Sequence, residues 1–89
     1  MIREPIKIIN QLGLHARAAA KLVTTASRFE SSVRIVKDGR DVDGKSIMSV
    51  MMLAASCGTN IELMIEGPDE QDAWESLQAL INDRFGEES

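Results

Sequence analysis

The single histidine of this 89-residue chain lies in the segment Gly13-Leu14-His15-Ala16-Arg17, where a loop is predicted to become a helix. The first N–H groups of a helix have no intrahelical partner, and the helix dipole is positive there. This dipole disfavours the imidazolium cation by about 0.3–1 kcal/mol, which favours a neutral, nucleophilic ring. The free amides would bind an anion on the ring, and Arg17 adds a guanidinium suited to phosphate oxygens. These residues indicate a transient phosphohistidine, although a capping or surface histidine without a task remains an alternative.

A second segment, Gly39-Arg40-Asp41-Val42-Asp43-Gly44-Lys45-Ser46, matches the phosphate-loop pattern G-x-x-x-x-G-K-S. A nucleotide-binding loop runs from a buried strand directly into a long helix of a parallel sheet. Here the match begins with a predicted hairpin turn, contains a short strand and precedes a short helix. We therefore interpret the match as coincidental. A small nucleotide-binding protein that uses Gly44, Lys45 and Ser46 is the alternative it raises.

The stretch from Ile47 to Ala55 contains no helix breaker and is predicted to form a short helix. Val50, Leu53 and Ala54 share one face that can pack inward. A helix that is apolar nearly all round is normally buried, but a chain this small cannot cover it fully. We expect an exposed patch of flexible side chains that accepts several partners, unless all of them belong to the core. The patch would consist of Ile47, Met48 and Met51.

Ser46 directly precedes this short helix and has two interpretations. As an N-cap it would stabilise the helix by about 1 kcal/mol. As a phosphorylation site it would add about −1.5 to −2 charge units beside the apolar patch. The helix dipole would tolerate the phosphate, whereas a partner on the patch would not. The residues alone favour the cap. A purely regulatory module, in which phosphorylated Ser46 binds a transcription factor, is an alternative function.

Hydrophobic periodicity predicts the elements that must position these residues. The expected order is β-α-β-β-α-β-α, which a single antiparallel sheet with helices on one face satisfies. The predicted elements are a strand at Ile2–Ile9, a helix from His15 to near Ser27, strands at Ser32–Lys37 and Arg40–Val42 joined by Asp38-Gly39, the helix at Ile47–Ala55, a strand around Ile61–Glu66 and a helix at Asp69–Phe85. The water-facing side of the sheet would carry Lys7, Arg34, Glu62 and Glu66.

Smaller features complete this prediction. Cys57 is interpreted as a small filler at a helix end and Trp74 as a core residue. The tail Gly86-Glu87-Glu88-Ser89 is polar and expected to fray.

Length and composition exclude several classes of protein. A chain of 89 residues has room for one domain, expected to span residues 1–89. Its net charge of −4 argues against binding nucleic acid or anionic membranes. The one cysteine excludes a disulfide framework and a cysteine-built metal site, and it fits a reducing compartment. No apolar run approaches the length of about 18 residues that a membrane-spanning helix needs. We expect a cytosolic protein without a metal or cofactor.

Together, Gly13-Leu14-His15-Ala16-Arg17 and Gly44-Lys45-Ser46-Ile47-Met48 resemble the HPr family, the histidine-containing phosphocarriers of the bacterial phosphotransferase system. The resemblance covers essentially the whole chain in length and element order. It implies an α+β fold, an open-faced β-sandwich with three helices on one face of a four-stranded antiparallel sheet. One departure is Ala18, where many members have proline, and this puts in doubt how rigidly the His15 loop is held. The branch of the family, sugar uptake or nitrogen regulation, stays open.

The resemblance also implies a function. His15 would accept a phosphoryl group on Nδ1 from phosphorylated enzyme I and pass it to a histidine of an enzyme IIA domain, so the protein is a carrier and not an enzyme. Arg17 matches the family's active-centre arginine, and Ser46 matches the serine that HPr kinase/phosphorylase modifies. Nothing in the residues demands more than a monomer. The docking surface implied for partners consists of Ala16, Ala20, Thr24, Ile47, Met48 and Met51.

Overall fold

The structure, a computed structural model, describes residues 1–88. The predicted order β-α-β-β-α-β-α is confirmed. The elements are β1 (Ile2–Lys7), α1 (Ala16–Ser27), β2 (Ser32–Lys37), β3 (Arg40–Asp43), α2 (Ile47–Met52), β4 (Asn60–Glu66) and α3 (Glu70–Asn82), followed by a short turn at Arg84–Gly86. No helix between residues 1 and 88 has the length and apolar character needed to cross a bilayer.

The four strands form one antiparallel sheet in the order β1-β4-β2-β3. Ile65 of β4 lies opposite Ile2 of β1 and Val33 of β2, so the apolar side chains of neighbouring strands meet on one face. The three helices pack over this face, as expected for an open-faced sandwich. The core between sheet and helices includes the fully buried Leu22, Ile35, Val50, Leu63, Leu77 and Ile81.

The other face of the sheet is polar, as predicted. Lys7, Arg34 and Glu66 are exposed there, and Glu62 is half-buried. Arg3 donates to Glu62 over 2.7 Å on this face. Exposed ion pairs of this kind contribute little stability. The polar side chains of this face therefore matter mainly because they make it compatible with contact to water.

The Asp38-Gly39 hairpin is confirmed. Asp38 has a φ of 50° and Gly39 a φ of 80°, the left-handed pair of a type I′ turn. This turn places two cations over the end of α2. Lys37 Nζ donates to the Leu53 carbonyl over 2.8 Å, and an Arg40 guanidinium nitrogen donates to the Met52 carbonyl over 3.2 Å. The carbonyls that α2 leaves unpaired at its end are thereby satisfied.

Helix α2 is shorter than predicted, because it ends at Met52 and not at Ala55. Ala54 adopts a left-handed φ of 51°, which stops the helix. Ala54 is therefore exposed, and the prediction that it packs inward was wrong, whereas Val50 and Leu53 are fully buried as predicted. Since the helix ends early, Cys57 lies in the following turn. It is exposed and not the predicted filler at a helix end.

Helix α3 is also shorter than predicted, with bounds of Glu70–Asn82 in place of Asp69–Phe85. Arg84 and Phe85 both have a φ of 56°, so the chain turns left-handed directly after the helix. Phe85 is fully buried by this turn. Trp74, predicted to be core, is half-buried and packs against the core.

Asp69 connects the start of α3 to the loop before β2. Its carboxylate accepts hydrogen bonds from the Glu30 and Ser31 amides, each over 2.9 Å, and from the Ser31 hydroxyl. The Ser31 hydroxyl above all, and then the Glu30 amide, lower the pKa of Asp69 from its ordinary value of 3.8. The ionised carboxylate is the form that stabilises the fold.

We expect Asp69→Asn to lower the melting temperature near neutral pH, because an amide cannot accept all of these hydrogen bonds. A lowered pKa contributes stability that is present above the ordinary value of 3.8 and is lost as the pH falls through the folded-state pKa below it. The difference between the native chain and the variant should therefore shrink in acid. Thermal unfolding followed by circular dichroism over a pH series measures this. Asp72→Asn, an exposed position in the first turn of α3, is the control, and a gap that stays constant in acid would contradict the assignment.

Candidate functional site

His15 is the N-cap residue of α1. Its backbone is extended, with φ −74° and ψ 178°, and its carbonyl accepts the Ala19 amide over 2.8 Å. The side chain makes no capping hydrogen bond and remains 29% exposed. The predicted position at the start of a helix is confirmed, and the alternative of a capping side chain is wrong. The ring is therefore available for chemistry beside the positive end of α1.

The loop before α1 is fixed by a close backbone approach at Gly13. Gly13 has a φ of 68°, and a Cβ added there would lie 2.5 Å from the Ala55 carbonyl oxygen. The next residue, Leu14, is buried and donates its amide to the same carbonyl over 2.8 Å. Asn10 Nδ2 donates to the Gly13 carbonyl over 2.8 Å. These contacts hold the loop against the segment after α2 and so determine where His15 stands.

Arg17 lies in the first turn of α1 and is exposed. None of the ion pairs formed within residues 1–88 involves it. It lines an open cavity of about 630 Å³ together with His15. Gln11, Leu12, Ala16 and Glu87 complete the lining. A phosphoryl group on the ring would enter this cavity beside the guanidinium and the free amides of α1.

Glu87 is in direct contact with the ring, and sequence reasoning missed it. Its Oε2 lies 2.6 Å from His15 Nε2, and its Oε1 accepts from Asn10 Nδ2 over 3.1 Å. The hydrogen bond with His15 first, and then that with Asn10, lower the pKa of Glu87. The prediction of a frayed tail was wrong for Glu87, whose side chain is only 13% exposed. Ser89, the last residue of that predicted tail, lies outside the described residues.

The turn after α3 carries Glu87 to the ring. Arg84, Phe85 and Gly86 have positive φ values of 56°, 56° and 77°, which reverse the chain. Phe85 is buried, and its carbonyl accepts from Lys21 Nζ over 2.6 Å. His15 and Glu87 are 72 residues apart. No periodicity or motif connects positions at that separation, so the sequence offered no signal for this contact.

Ser46 is the N-cap residue of α2, as predicted. Its hydroxyl oxygen accepts the Ser49 amide over 3.4 Å, and its own amide donates to the Asp43 carbonyl over 3.2 Å. Its side chain is half-buried. A group attached to its oxygen would stand at the N-terminus of α2, the helix that begins at Ile47.

The G-x-x-x-x-G-K-S segment does not form a nucleotide-binding loop. Gly44 donates its amide to the Val33 carbonyl over 2.7 Å, and a Cβ there would lie 2.7 Å from Val33 Cγ1. Lys45 Nζ donates to the Phe29 carbonyl over 2.8 Å. Gly44 is thus needed for close packing against Val33, and Lys45 connects its own loop to the loop at Phe29. Both residues have structural contacts, which agrees with the interpretation of the match as coincidental.

The predicted apolar patch is exposed. Ile47 and Met51 are each 39% exposed and Met48 is 67% exposed. Met52 and Leu12 are also exposed, and sequence reasoning did not include them. The residues expected on the neighbouring helix lie on α1, which packs against α2. Of these, Ala16 and Thr24 are exposed and Ala20 is half-buried.

Comparisons with known proteins agree with this arrangement. Residues 2–83 match the family model described as "PTS HPr component phosphorylation site". The phosphocarrier protein HPr of Cupriavidus necator is 55% identical over 87 residues, which cover 98% of each chain. A crystal structure of HPr from Thermoanaerobacter tengcongensis superimposes with a TM-score of 0.96 at 46% identity, covering 100% of both chains. A crystal structure of an HPr dimer from the same organism gives a TM-score of 0.79 at 46% identity, covering 98% of this chain and 100% of that one.

We expect Gly13→Ala to destabilise the fold and to displace the His15 loop. The left-handed φ alone costs an alanine about 1–2 kcal/mol, and the approach to the Ala55 carbonyl adds a steric cost. Gly58→Ala is the matched control, because Gly58 has a φ of 88° but no atom within 4 Å of an added Cβ. Denaturant unfolding should show a larger loss for Gly13→Ala than for Gly58→Ala. Equal losses would show that the close approach does not matter.

Proposed function

We propose, since the chain belongs to the HPr family of phosphotransferase-system phosphocarriers, that His15 receives a phosphoryl group from enzyme I and donates it to enzyme IIA domains. The protein would act as a carrier and not as a free-standing catalyst. Its relatives are likewise phosphocarrier proteins. The cytosol is the compartment we propose for this exchange.

The observation that carries this proposal is the partly exposed His15 ring at the N-terminus of α1. Of the described residues, His15 is the only one of its type, and it borders the cavity that Arg17 also lines. The first amides of α1 and the guanidinium supply hydrogen-bond donors for three phosphoryl oxygens. Transfer between two histidines needs little covalent assistance, so positioning and charge stabilisation by these donors would account for most of the rate.

Both partners would dock on the same surface of the chain. The apolar patch on α2 lies beside α1, so a partner that covers both helices brings its own histidine to the His15 cavity. We propose that Ala16, Ala20, Thr24, Ile47, Met48 and Met51 contact enzyme I and enzyme IIA domains in turn. Shared docking would prevent both partners from binding at once, as a carrier requires. We propose that the monomer is the active form.

Phosphorylation of Ser46 by an HPr kinase/phosphorylase would regulate this docking. A phosphate there would place about −1.5 to −2 charge units at the edge of the apolar patch. An apolar partner surface would then have to bury a charge, which is costly. The helix itself would persist, because a negative group is favourable at the N-terminus of α2.

We expect His15→Ala to abolish phosphoryl acceptance and Arg17→Ala to slow it by about 10- to 100-fold, the kinetic equivalent of one charge-assisted hydrogen bond. The measurement is the incorporation of label from phosphoenolpyruvate in the presence of enzyme I. Arg34→Ala is the control, because it removes the same charge from the opposite, water-facing side of the sheet. Acid-labile label on His15→Ala would contradict the carrier assignment, and an unchanged rate for Arg17→Ala would remove Arg17 from the site.

We expect Ser46→Asp to lower the rate of acceptance from enzyme I, because its charge opposes docking on the apolar patch. Ser46→Asn is the matched control, since asparagine has the same shape, caps a helix as well and carries no charge. Initial rates should be measured at several concentrations of each variant. Because the charge opposes docking, Ser46→Asp should need a higher concentration to reach half of its maximal rate. If both variants were slowed equally, the effect would come from altered packing and not from charge.

A further inference from the structure

We propose that Glu87 is a positioning residue that holds His15 in the tautomer with its hydrogen on Nε2 and thereby reserves Nδ1 for the phosphoryl group. This inference rests on the proposed function, since it concerns how the same ring is prepared for transfer. It adds a residue to the site that lies beyond the matched region of the family model, which ends at residue 83.

The carboxylate of Glu87 is fixed at both oxygens. Oε2 lies 2.6 Å from His15 Nε2, and Oε1 accepts from Asn10 Nδ2 over 3.1 Å. Asn10 is fully buried, and its Nδ2 also donates to the Gly13 carbonyl. Glu87 is thus tied to the loop that positions the ring, and its carboxylate cannot rotate away without losing two hydrogen bonds.

The protonation of this pair follows from the chemistry of its members. An ionised carboxylate only accepts hydrogen bonds, so Nε2 must carry the hydrogen. A neutral imidazole has a single N–H, and its other nitrogen, Nδ1, then carries a free lone pair. The hydrogen bonds that Glu87 accepts from His15 and then from Asn10 lower its pKa and so support its ionisation, and the nearby charge of Lys21 acts in the same direction. Arg17 faces the same cavity and adds a further positive charge.

The transfer step then balances without a proton leaving the ring. The Nδ1 lone pair attacks the phosphorus of a donor phosphohistidine and forms the new N–P bond. The old N–P bond breaks, and the donor ring, which as a phosphorylated imidazolium carries a hydrogen on its other nitrogen, departs with that electron pair as a neutral imidazole. The His15 ring becomes a phosphorylated imidazolium that keeps its hydrogen on Nε2. Glu87 faces that positive ring at 2.6 Å and stabilises the charge that transfer creates.

The anchoring of the tail indicates that this contact is built into the fold. Phe85 is fully buried and Lys21 Nζ donates to its carbonyl over 2.6 Å. The left-handed turn at Arg84–Gly86 leaves only one residue between this anchor and Glu87. An acidic side chain at position 87 is therefore held within reach of the ring, whereas Glu88, the next residue, is exposed.

The test compares the wild-type chain with Glu87→Gln and with Glu88→Gln, which removes the same charge from the adjacent, exposed position. Nitrogen-15 NMR of the imidazole reports the tautomer, and labelled phosphoenolpyruvate with enzyme I reports the rate. We expect an unprotonated Nδ1 in the wild-type chain and in Glu88→Gln. Glu87→Gln can donate to Nε2, so it should show a mixed tautomer and acceptance slowed by about tenfold. Amide spectra and melting curves verify that both variants fold.

The outcomes separate this inference from the proposed function. If the wild-type chain accepts phosphate but Glu87→Gln matches Glu88→Gln in tautomer and rate, the role of Glu87 is overturned and the carrier function stands. A slower Glu87→Gln with an unchanged tautomer would also overturn it, because Glu87 would then act by another route. If the wild-type chain accepts no phosphate on His15, both proposals fall.

Discussion

The close approach of Gly13 to the Ala55 carbonyl is the constraint on which the site depends. It fixes the loop that ends at His15, and the loop in turn fixes the angle at which α1 begins. Together with the hydrogen bonds of Leu14 and Asn10 in the same loop, this contact sets the position of the ring relative to the free amides of α1. The same contact joins the His15 loop to the segment that follows α2, so the backbone on both sides of it helps to position the His15 ring and the apolar patch. Tight packing at backbone level leaves little freedom for either to move alone.

The two candidate sites share one construction. His15 and Ser46 are both N-cap residues, and both precede helices that pack against each other. The two side chains differ in whether they hydrogen-bond to the amides of the helix that follows. The Ser46 oxygen accepts an amide of its own helix, whereas the His15 ring makes no such bond and stays available. A phosphate at either residue would be electrostatically compatible with its helix. The consequences for a partner differ, because one phosphate would be the cargo and the other an obstacle at the docking surface.

Local chemistry explains how much of this could be predicted from the sequence. Alternating and helical periodicities, the Asp38-Gly39 turn and the Ser46 cap each act within a few residues, and all were predicted. Ala54 could not be, because alanine gives no sign that it adopts a left-handed φ of 51°. That one residue shortened α2 and left Cys57 in an exposed turn. Glu87 was missed for a different reason, since its contact with His15 arises only after the sheet and helices have assembled.

The contact between His15 and Glu87 changes how the charge at the site should be understood. The helix dipole alone disfavours a positive ring, which is suitable before transfer but unsuitable after it. A carrier needs both states to be of similar energy, because it must accept the group and release it. In the proposed mechanism the ionised Glu87 would offset the positive charge on a phosphorylated ring, while Arg17 and the amides of α1 would offset the phosphoryl oxygens. A negative group at the ring and positive groups at the phosphoryl oxygens would therefore bring the free and phosphorylated states close in energy, which neither set of charges could achieve alone.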